Sequence, residues 1–371
     1  MVNDLIFQIA LTMVPNIGPV HAKILVDRFG SAEGIFNSTC DSLERTEGIG
    51  KVRAVCIKKF NGFNEIEKEV GFLKKFGMHA IFLTDEGYPR RLLNCYDPPV
   101  LLYGCGICDL NVPRVIAVVG TRNKTEYGKQ VTERLIADLA SEGVLVVSGL
   151  ALGIDSVAHK SALKNGLATV AVLGHGLDSI YPPEHEGLAK QMVRQGGCLL
   201  TEYRSGVKPD KHNFPMRNRI VAGMCDAVVV VETNARGGSM ITAELAGSYN
   251  RDVFAFPGRS TDQKSAGTNG LIRQNKAMLV SSAAELMDTM GWQITESHNR
   301  KLQSQLFYEL SEDEREVIKI IRNLETVSID ELHSRVAMTV SSVAAIILKL
   351  ELENIIGSMP GKRFRLLLDP V

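Results

Sequence analysis

From about residue 79 onward, apolar residues arrive in short unbroken runs, and most runs are followed by a segment with helical spacing. His79 to Thr84, Val115-Ile116-Ala117-Val118-Val119, Val144 to Val147, Ala168 to Leu173, Cys198 to Tyr203, Ala227 to Val231, Asp252 to Phe256 and Ala277 to Val280 read as strands. Runs without polar alternation suit strands covered on both faces. Glu126 to Glu142, Asp155 to Asn165, Glu184 to Gln195, Arg217 to Met224, Ser239 to Asn250 and Gly270 to Gln274 read as the intervening helices. This alternation predicts an α/β fold, a doubly wound, mostly parallel Rossmann-like sheet. Tyr88 to Tyr103 contains Pro89, Pro98 and Pro99 and reads as a loop-rich connection.

The pattern changes on either side of this region. Residues 1–76 read as a small helical domain of the SAM or helix-hairpin-helix type. Val14-Pro15-Asn16-Ile17-Gly18-Pro19 and Glu47-Gly48-Ile49-Gly50-Lys51 each break a helical pattern in the same way. Backbone N–H groups at such turns can hold a phosphate, although glycine also simply ends helices. The sheet domain is expected over 77–293 and a polar linker over 294–305. Residues 306–371 then read as three helices and two short strands around Pro360-Gly361, a winged helix. Ser311 with Glu314 three residues on is the capping-box spacing for its first helix. The third helix carries Lys349 as its base and Glu351 and Glu353 near its end, which argues as much for a protein contact as for duplex reading.

Composition narrows the chemistry. The 371 residues include 42 basic and 42 acidic side chains, so formal net charge is zero. A nucleic-acid binder with that balance must concentrate its positive potential locally. Met1-Val2-Asn3-Asp4 lacks the basic start of a signal peptide, and no apolar run reaches bilayer length. A cytoplasmic protein with no membrane partner is therefore expected. The seven cysteines are scattered. Cys105-Gly106-Ile107-Cys108 has CxxC spacing but no second pair, so it reads as two incidental thiols.

Positive charge does concentrate between Arg204 and Arg219. Arg204, Lys208, Lys211, Arg217 and Arg219 face a single acid, Asp210, and Phe214-Pro215 sits inside the cluster. Ring faces stack on unpaired bases while Lys and Arg neutralise phosphates, a mixture suited to single-stranded nucleic acid. Four further loops follow strands and fall at the edge where open parallel sheets collect ligands. They are Gly120-Thr121-Arg122, Ser148-Gly149-Leu150-Ala151-Leu152-Gly153-Ile154-Asp155, Gly174-His175-Gly176-Leu177-Asp178 with Tyr181-Pro182, and Arg236-Gly237-Gly238-Ser239. The first two read as anion cradles, with Arg122 as a phosphate clamp. Asp155 is placed to cap a helix, and His159 to pack beneath it. No GxGxxG, Walker or GxSxG pattern is present, and no Cys/His/carboxylate set has metal spacing. No cofactor, metal or catalytic group is expected.

Together these motifs resemble the DNA-processing protein A (DprA/Smf) family. The resemblance is carried by Val119 to Arg122, Ser148 to Asp155, Gly174 to Asp178 with Tyr181-Pro182, Phe214 to Gly223, Gly238 to Ala243 and Val253 to Gly258. It covers the whole Rossmann-like region. It implies a non-enzymatic protein that binds and protects single-stranded DNA and loads a RecA-type recombinase during natural transformation. It also implies a homodimer formed through the Rossmann-like domain. It implies Arg122, Lys211, Phe214 and Arg217 as strand contacts, and Gly120, Ser148, Gly149, Gly153, Asn218, Gly238 and Ser239 in the adjoining loops are expected to bind DNA with them. Asn250 and Asn275 stand where the family has glycines.

A different reading comes from Arg236 to Glu244. This segment is similar to the Pro-Gly-Gly-x-Gly-Thr-x-x-Glu motif of lysine-decarboxylase-like phosphoribohydrolases, in which Glu244 would act near a ribose. Arg236, Met240 and Ile241 break that pattern.

Overall fold

The computed structural model describes residues 2–292, 310–324, 326–352, 355–359 and 363–366. They form two compact units, Met1–Gln293 and Ile294–Val371. The expected linker 294–305 and the Pro360-Gly361 turn lie outside the described residues.

In the first unit nine strands form one sheet: β1 His79–Phe82, β2 Leu101–Cys105, β3 Val115–Val119, β4 Leu145–Ser148, β5 Thr169–Val172, β6 Cys198–Thr201, β7 Ala227–Val230, β8 Asp252–Ala255 and β9 Met278–Leu279. Their spatial order is β1-β2-β6-β5-β4-β3-β7-β8-β9. From β6 to β9 every pairing is parallel. β1 and β2 add an antiparallel edge. β2 corrects the sequence reading, which placed its first half in a loop. Pro98 and Pro99 end just before this strand, and Leu101, Leu102 and Tyr103 are buried.

The unbroken apolar runs have the predicted cause. Along β3, Val115, Ala117 and Val119 enter one core, while Ile116 and Val118 enter a second on the opposite face. Burial of both faces leaves no position for a polar alternation. The first core continues into the N-terminal helices through Ile9, Leu25, Ile57 and Leu73. Arg53 ties the two N-terminal turns together, donating from Nε to the Asn16 carbonyl and from Nη1 to the Gly48 carbonyl, each at 3.1 Å. Asn250 and Asn275 lie in the left-handed region at φ 55° and 53°. Asparagine tolerates that region better than most residues, so both keep a glycine-like turn.

The helix expected from Arg217 starts earlier, at Asn213, and runs to Gly223. Asp210 organises this start: its side chain accepts the His212 N–H at 2.8 Å and its carbonyl the Asn213 N–H. A further helix, Ala283–Thr289, lies beyond the sequence reading and is capped by Ser282.

The second unit has helices Glu312–Leu324, Ile329–Arg335 and Val340–Leu352 and strands β10 Thr326–Ser328, β11 Ile356–Met359 and β12 Arg363–Leu366. The strands pair antiparallel in the order β10-β12-β11. This is a winged helix around Val317, Ile321, Val343, Leu350 and Phe364. The capping box forms as its spacing predicts: Ser311 Oγ accepts the Glu314 N–H, and the Glu314 carboxylate accepts the Ser311 N–H. Lys349 also donates to Glu314, at 2.7 Å.

Candidate nucleic-acid interface

Strand order reverses between β3 and β7, the place where an open α/β sheet leaves a crevice beyond its carboxyl ends. A cavity of about 660 Å³ lies there. Its walls come from the connections after β3, β4 and β7 and from the start of helix Asn213–Gly223.

The Gly120-Thr121-Arg122 turn is fixed from several sides. Thr121 N–H donates to the Glu232 carbonyl at 2.7 Å. The Glu232 carboxylate accepts the Thr125 N–H at 3.0 Å and the Thr125 hydroxyl. Gly153 sits at φ 84°, and a side chain there would meet the carbonyls of Thr121 and Arg122. Arg122 is exposed and lines the cavity.

The connection after β4 differs from its sequence reading as an open anion cradle. The N–H groups of Gly149 and Ala151 both donate to the Asp155 carboxylate, at 3.1 and 3.3 Å. The loop is thus filled by the protein's own anion. Asp155 is a loop brace and not the expected helix cap, since the cap position is Gly153. Between the two donors, Leu150 takes φ 59°, and its carbonyl faces His185 Nδ1 at 2.8 Å. A buried leucine in that region is strained and persists because its neighbours over-determine it.

Arg217 lies beneath this loop and is only 5% exposed. Its Nη1 donates to the Gly149 carbonyl at 2.7 Å and to the Val172 carbonyl. Gly149 is required here, because a Cβ would fall 2.6 Å from the guanidinium. Burial pushes the Arg217 pKa down to about 10, against the stabilising charge of Asp155, with Arg122 adding to the depression. Burial likewise raises the Asp155 pKa, while Arg217 and the two N–H donors oppose the rise. Arg217 therefore forms floor. Arg219 is also buried, bonded to Glu202 and to the Asp97 carbonyl.

The exposed wall is different in character. Phe214 lies half-buried over Gly174, where a Cβ would approach its ring to 3.0 Å. The Arg122 guanidinium carbon is 5.9 Å from the Phe214 ring centroid. On the same ring, Tyr181 lies 5.7 Å away at an interplanar angle of 32°. Tyr181 is 47% exposed and Lys211 is exposed beside them. Gly174 of the third glycine loop thus clears space for the Phe214 ring. Tyr181 was visible as part of a motif, but its distance in sequence from Phe214 hid the pairing.

Across the cavity, helix Gly238–Ser248 begins at the wall. Ser239 is 7% exposed, lines the cavity, and its hydroxyl has no hydrogen-bond partner among the described residues. Asn218 donates to the Gly238 carbonyl at 3.4 Å. Helix N-termini present free N–H groups and partial positive charge to anions. Of the expected positions, Gly120, Arg122, Gly149, Lys211, Phe214, Arg217, Asn218, Gly238 and Ser239 line the cavity. Ser148 does not: it is fully buried and its hydroxyl donates to the Val118 carbonyl at 2.7 Å. Gly153 stands behind the wall. Thr121, from the expected Gly120-Thr121-Arg122 loop, also lines the cavity, and Asn234 lines it without having been anticipated.

His159 is packed as expected, fully buried with Nδ1 2.7 Å from the Thr169 hydroxyl. No group of three or more potential metal ligands occurs among the described residues. No helix among them is long and apolar enough to cross a membrane. Glu244 points elsewhere, 60% exposed and 3.9 Å from Lys276.

The family model described as DNA recombination-mediator protein A matches residues 79–291, which include every wall of this cavity. The chain belongs to that family. A second model, the DprA winged helix domain, matches residues 305–362. Among curated relatives, Protein Smf of Synechocystis sp. is 33% identical over 97% of this chain and 98% of its own length. Protein Smf of Escherichia coli is 36% identical over 81% of each. DNA processing protein DprA of Streptococcus pneumoniae is 43% identical over 55% of this chain and 72% of its own. The X-ray structure of the Streptococcus pneumoniae protein superposes with a TM-score of 0.65 at 33% identity, covering 76% of this chain and 97% of the other. A Helicobacter pylori DNA processing protein A, described for its single-stranded DNA binding mode, has a TM-score of 0.53 at 33% identity, with 58% and 96% coverage.

Proposed function

We propose that this chain binds single-stranded DNA along the carboxyl edge of its sheet. The observation that carries the reading is the Arg122–Phe214–Tyr181 stack, with Arg122 and Tyr181 exposed, beside Lys211 on one wall of the cavity. Aromatic faces accept any unpaired base, and flanking cations take the phosphates, so recognition tolerates sequence and depends on salt. Ser239 and the start of its helix add an anion position on the opposite wall. Arg217 and Gly149 shape the floor. The single-strand binding mode described for the Helicobacter pylori protein supports the same reading.

Within it, the chain delivers the bound strand to a RecA-type recombinase and works in the cytoplasm as a homodimer. The short edge strand β9, with Met278 40% and Leu279 54% exposed, is a suitable surface for pairing sheet domains. The test is fluorescence anisotropy of a labelled oligonucleotide, titrated against salt with competing duplex. Binding that ignores salt, or duplex competing as well as single strand, overturns the proposal. The phosphoribohydrolase reading is not favoured, since Glu244 lies outside the cavity lining.

A further inference from the structure

We infer that Glu69, on the N-terminal helix Phe63–Lys75, is a positioning residue for the nucleic-acid wall, holding the turn that leads into Lys211 and Phe214. The inference rests on the proposed single-strand binding and adds a component from outside the sheet domain.

The connection from β6 to helix Asn213–Gly223 has few bonds of its own. Between Arg204 and Val207 one long turn bond forms, from Val207 N–H to the Arg204 carbonyl at 3.4 Å. External groups supply the remaining restraints. Glu69 Oε1 accepts the Ser205 N–H at 2.9 Å, and Oε2 accepts the Ser205 hydroxyl. One helical turn earlier, Glu65 accepts from Arg204 Nη1 at 2.8 Å. Asp178 takes the Gly206 N–H at 2.9 Å, and Gly176 N–H donates to the Val207 carbonyl at 2.9 Å. Gly176 also lies against the turn, since a Cβ there would sit 2.5 Å from the Arg204 carbonyl.

Glu65 and Glu69 differ in kind. The Glu65–Arg204 pair is largely exposed, with side-chain exposures of 61% and 42%, and such pairs contribute little. Glu69 is 6% exposed, and a buried carboxylate is tolerable only while its oxygens are satisfied. Ser205 provides both donors that satisfy it. The turn is therefore bound to the helical layer as firmly as the helical layer needs the turn. The family model covers residues 79–291, so Ser205 lies inside the matched region and Glu69 outside it. The helical layer acts on the DNA wall by fixing the turn, whether or not it touches the strand.

The experiment uses the full chain with Glu69→Ala, Glu69→Gln and Ser205→Ala. Hydrogen exchange of peptides covering 203–212 is measured without DNA, and oligo-dT affinity is measured across salt. Glu69→Ala should raise exchange in that segment and weaken affinity about tenfold, the size of one lost charge-assisted hydrogen bond. The salt slope should stay at its wild-type value, because no phosphate-facing cation is removed. Glu69→Gln, which keeps an oxygen for the Ser205 N–H, should recover part of the affinity. Ser205→Ala deletes the hydroxyl donor to Glu69 Oε2, leaves the Ser205 N–H on Oε1, and keeps the test open if Glu69→Ala does not fold. Unchanged exchange in 203–212, or wild-type affinity despite raised exchange, overturns the inference. The exchange readout needs no DNA, so it tests the clamp even if the wild-type chain fails to bind single strands.

Discussion

Arg122 sits over the face of Phe214, its guanidinium carbon 5.9 Å from the ring centroid, although 92 residues separate them. One comes from the turn after β3 and the other from the helix after β6. Under the proposed function the contact would set a cation for phosphate beside a stacking surface, so the two would act on neighbouring parts of one nucleotide chain.

Reversing either exposed cation should weaken single-strand binding strongly without unfolding the protein. In Arg122→Glu and in Lys211→Glu the slope of log K against log salt should fall by roughly 0.7 for each phosphate left without its cation. Anisotropy titrations at several salt concentrations measure this. Wild-type affinity in both variants would remove these residues from the interface.

Phe214→Ala should cost about 1–3 kcal/mol of binding if one base stacks on the ring. Tyr181→Ala should cost a comparable amount only if a second base occupies its face. A double-mutant cycle distinguishes one shared base from two, because a shared base makes the losses non-additive.

Arg217 should behave as a stability residue. Arg217→Met removes the donor to the Gly149 and Val172 carbonyls and leaves Asp155 buried without its counter-charge. A loss of about 3 kcal/mol or more is expected, read from urea unfolding. A variant that keeps wild-type stability but loses DNA binding would place Arg217 on the strand instead.

His159 gives the fold an acid sensitivity. Burial lowers its pKa to about 3, with His185 and Arg217 adding to the depression. The unfolded chain takes up its proton near the ordinary value of about 6.5, and the folded chain does not. The stability contributed by neutral His159 is thus complete above pH 6.5 and is lost as pH falls toward 3. Between pH 7 and 5 the loss is about 2 kcal/mol. Urea midpoints across that range should fall, and His159→Asn should flatten the dependence.

Deleting residues 306–371 should leave single-strand affinity within about twofold, roughly 0.4 kcal/mol. The third helix of the winged unit presents Ser341, Ala345, Leu348 and Leu352 on exposed positions, and Lys349 is paired with Glu314. Separate duplex and single-strand titrations of the truncated chain check this. A large loss of duplex binding would assign the unit to duplex DNA.

The central strands were legible because runs such as Val115 to Val119 are buried on both faces and local composition records that directly. Phe214 was legible because an aromatic inside a basic segment has few structural uses. Arg217 was misleading for a physical reason. With the helix starting at Asn213, Arg217 falls on the inward side with Ile220 and Val221, yet its charge suggested solvent. Asp155 was hidden differently, since its partners are backbone N–H groups of a loop whose closure no side-chain pattern reports. The strand β2 was masked by the prolines immediately before it.

The loop closed on Asp155 also bears on the timing of binding. A glycine loop that waits for a phosphate must reorganise when the phosphate arrives, and that step slows capture. Here the carboxylate already occupies the donors, and the strained Leu150 turn is held from both sides. The floor of the cavity is set in advance. Capture should then proceed at the electrostatically steered encounter rate, with salt acting mainly on arrival and the aromatic pair governing how long a strand remains.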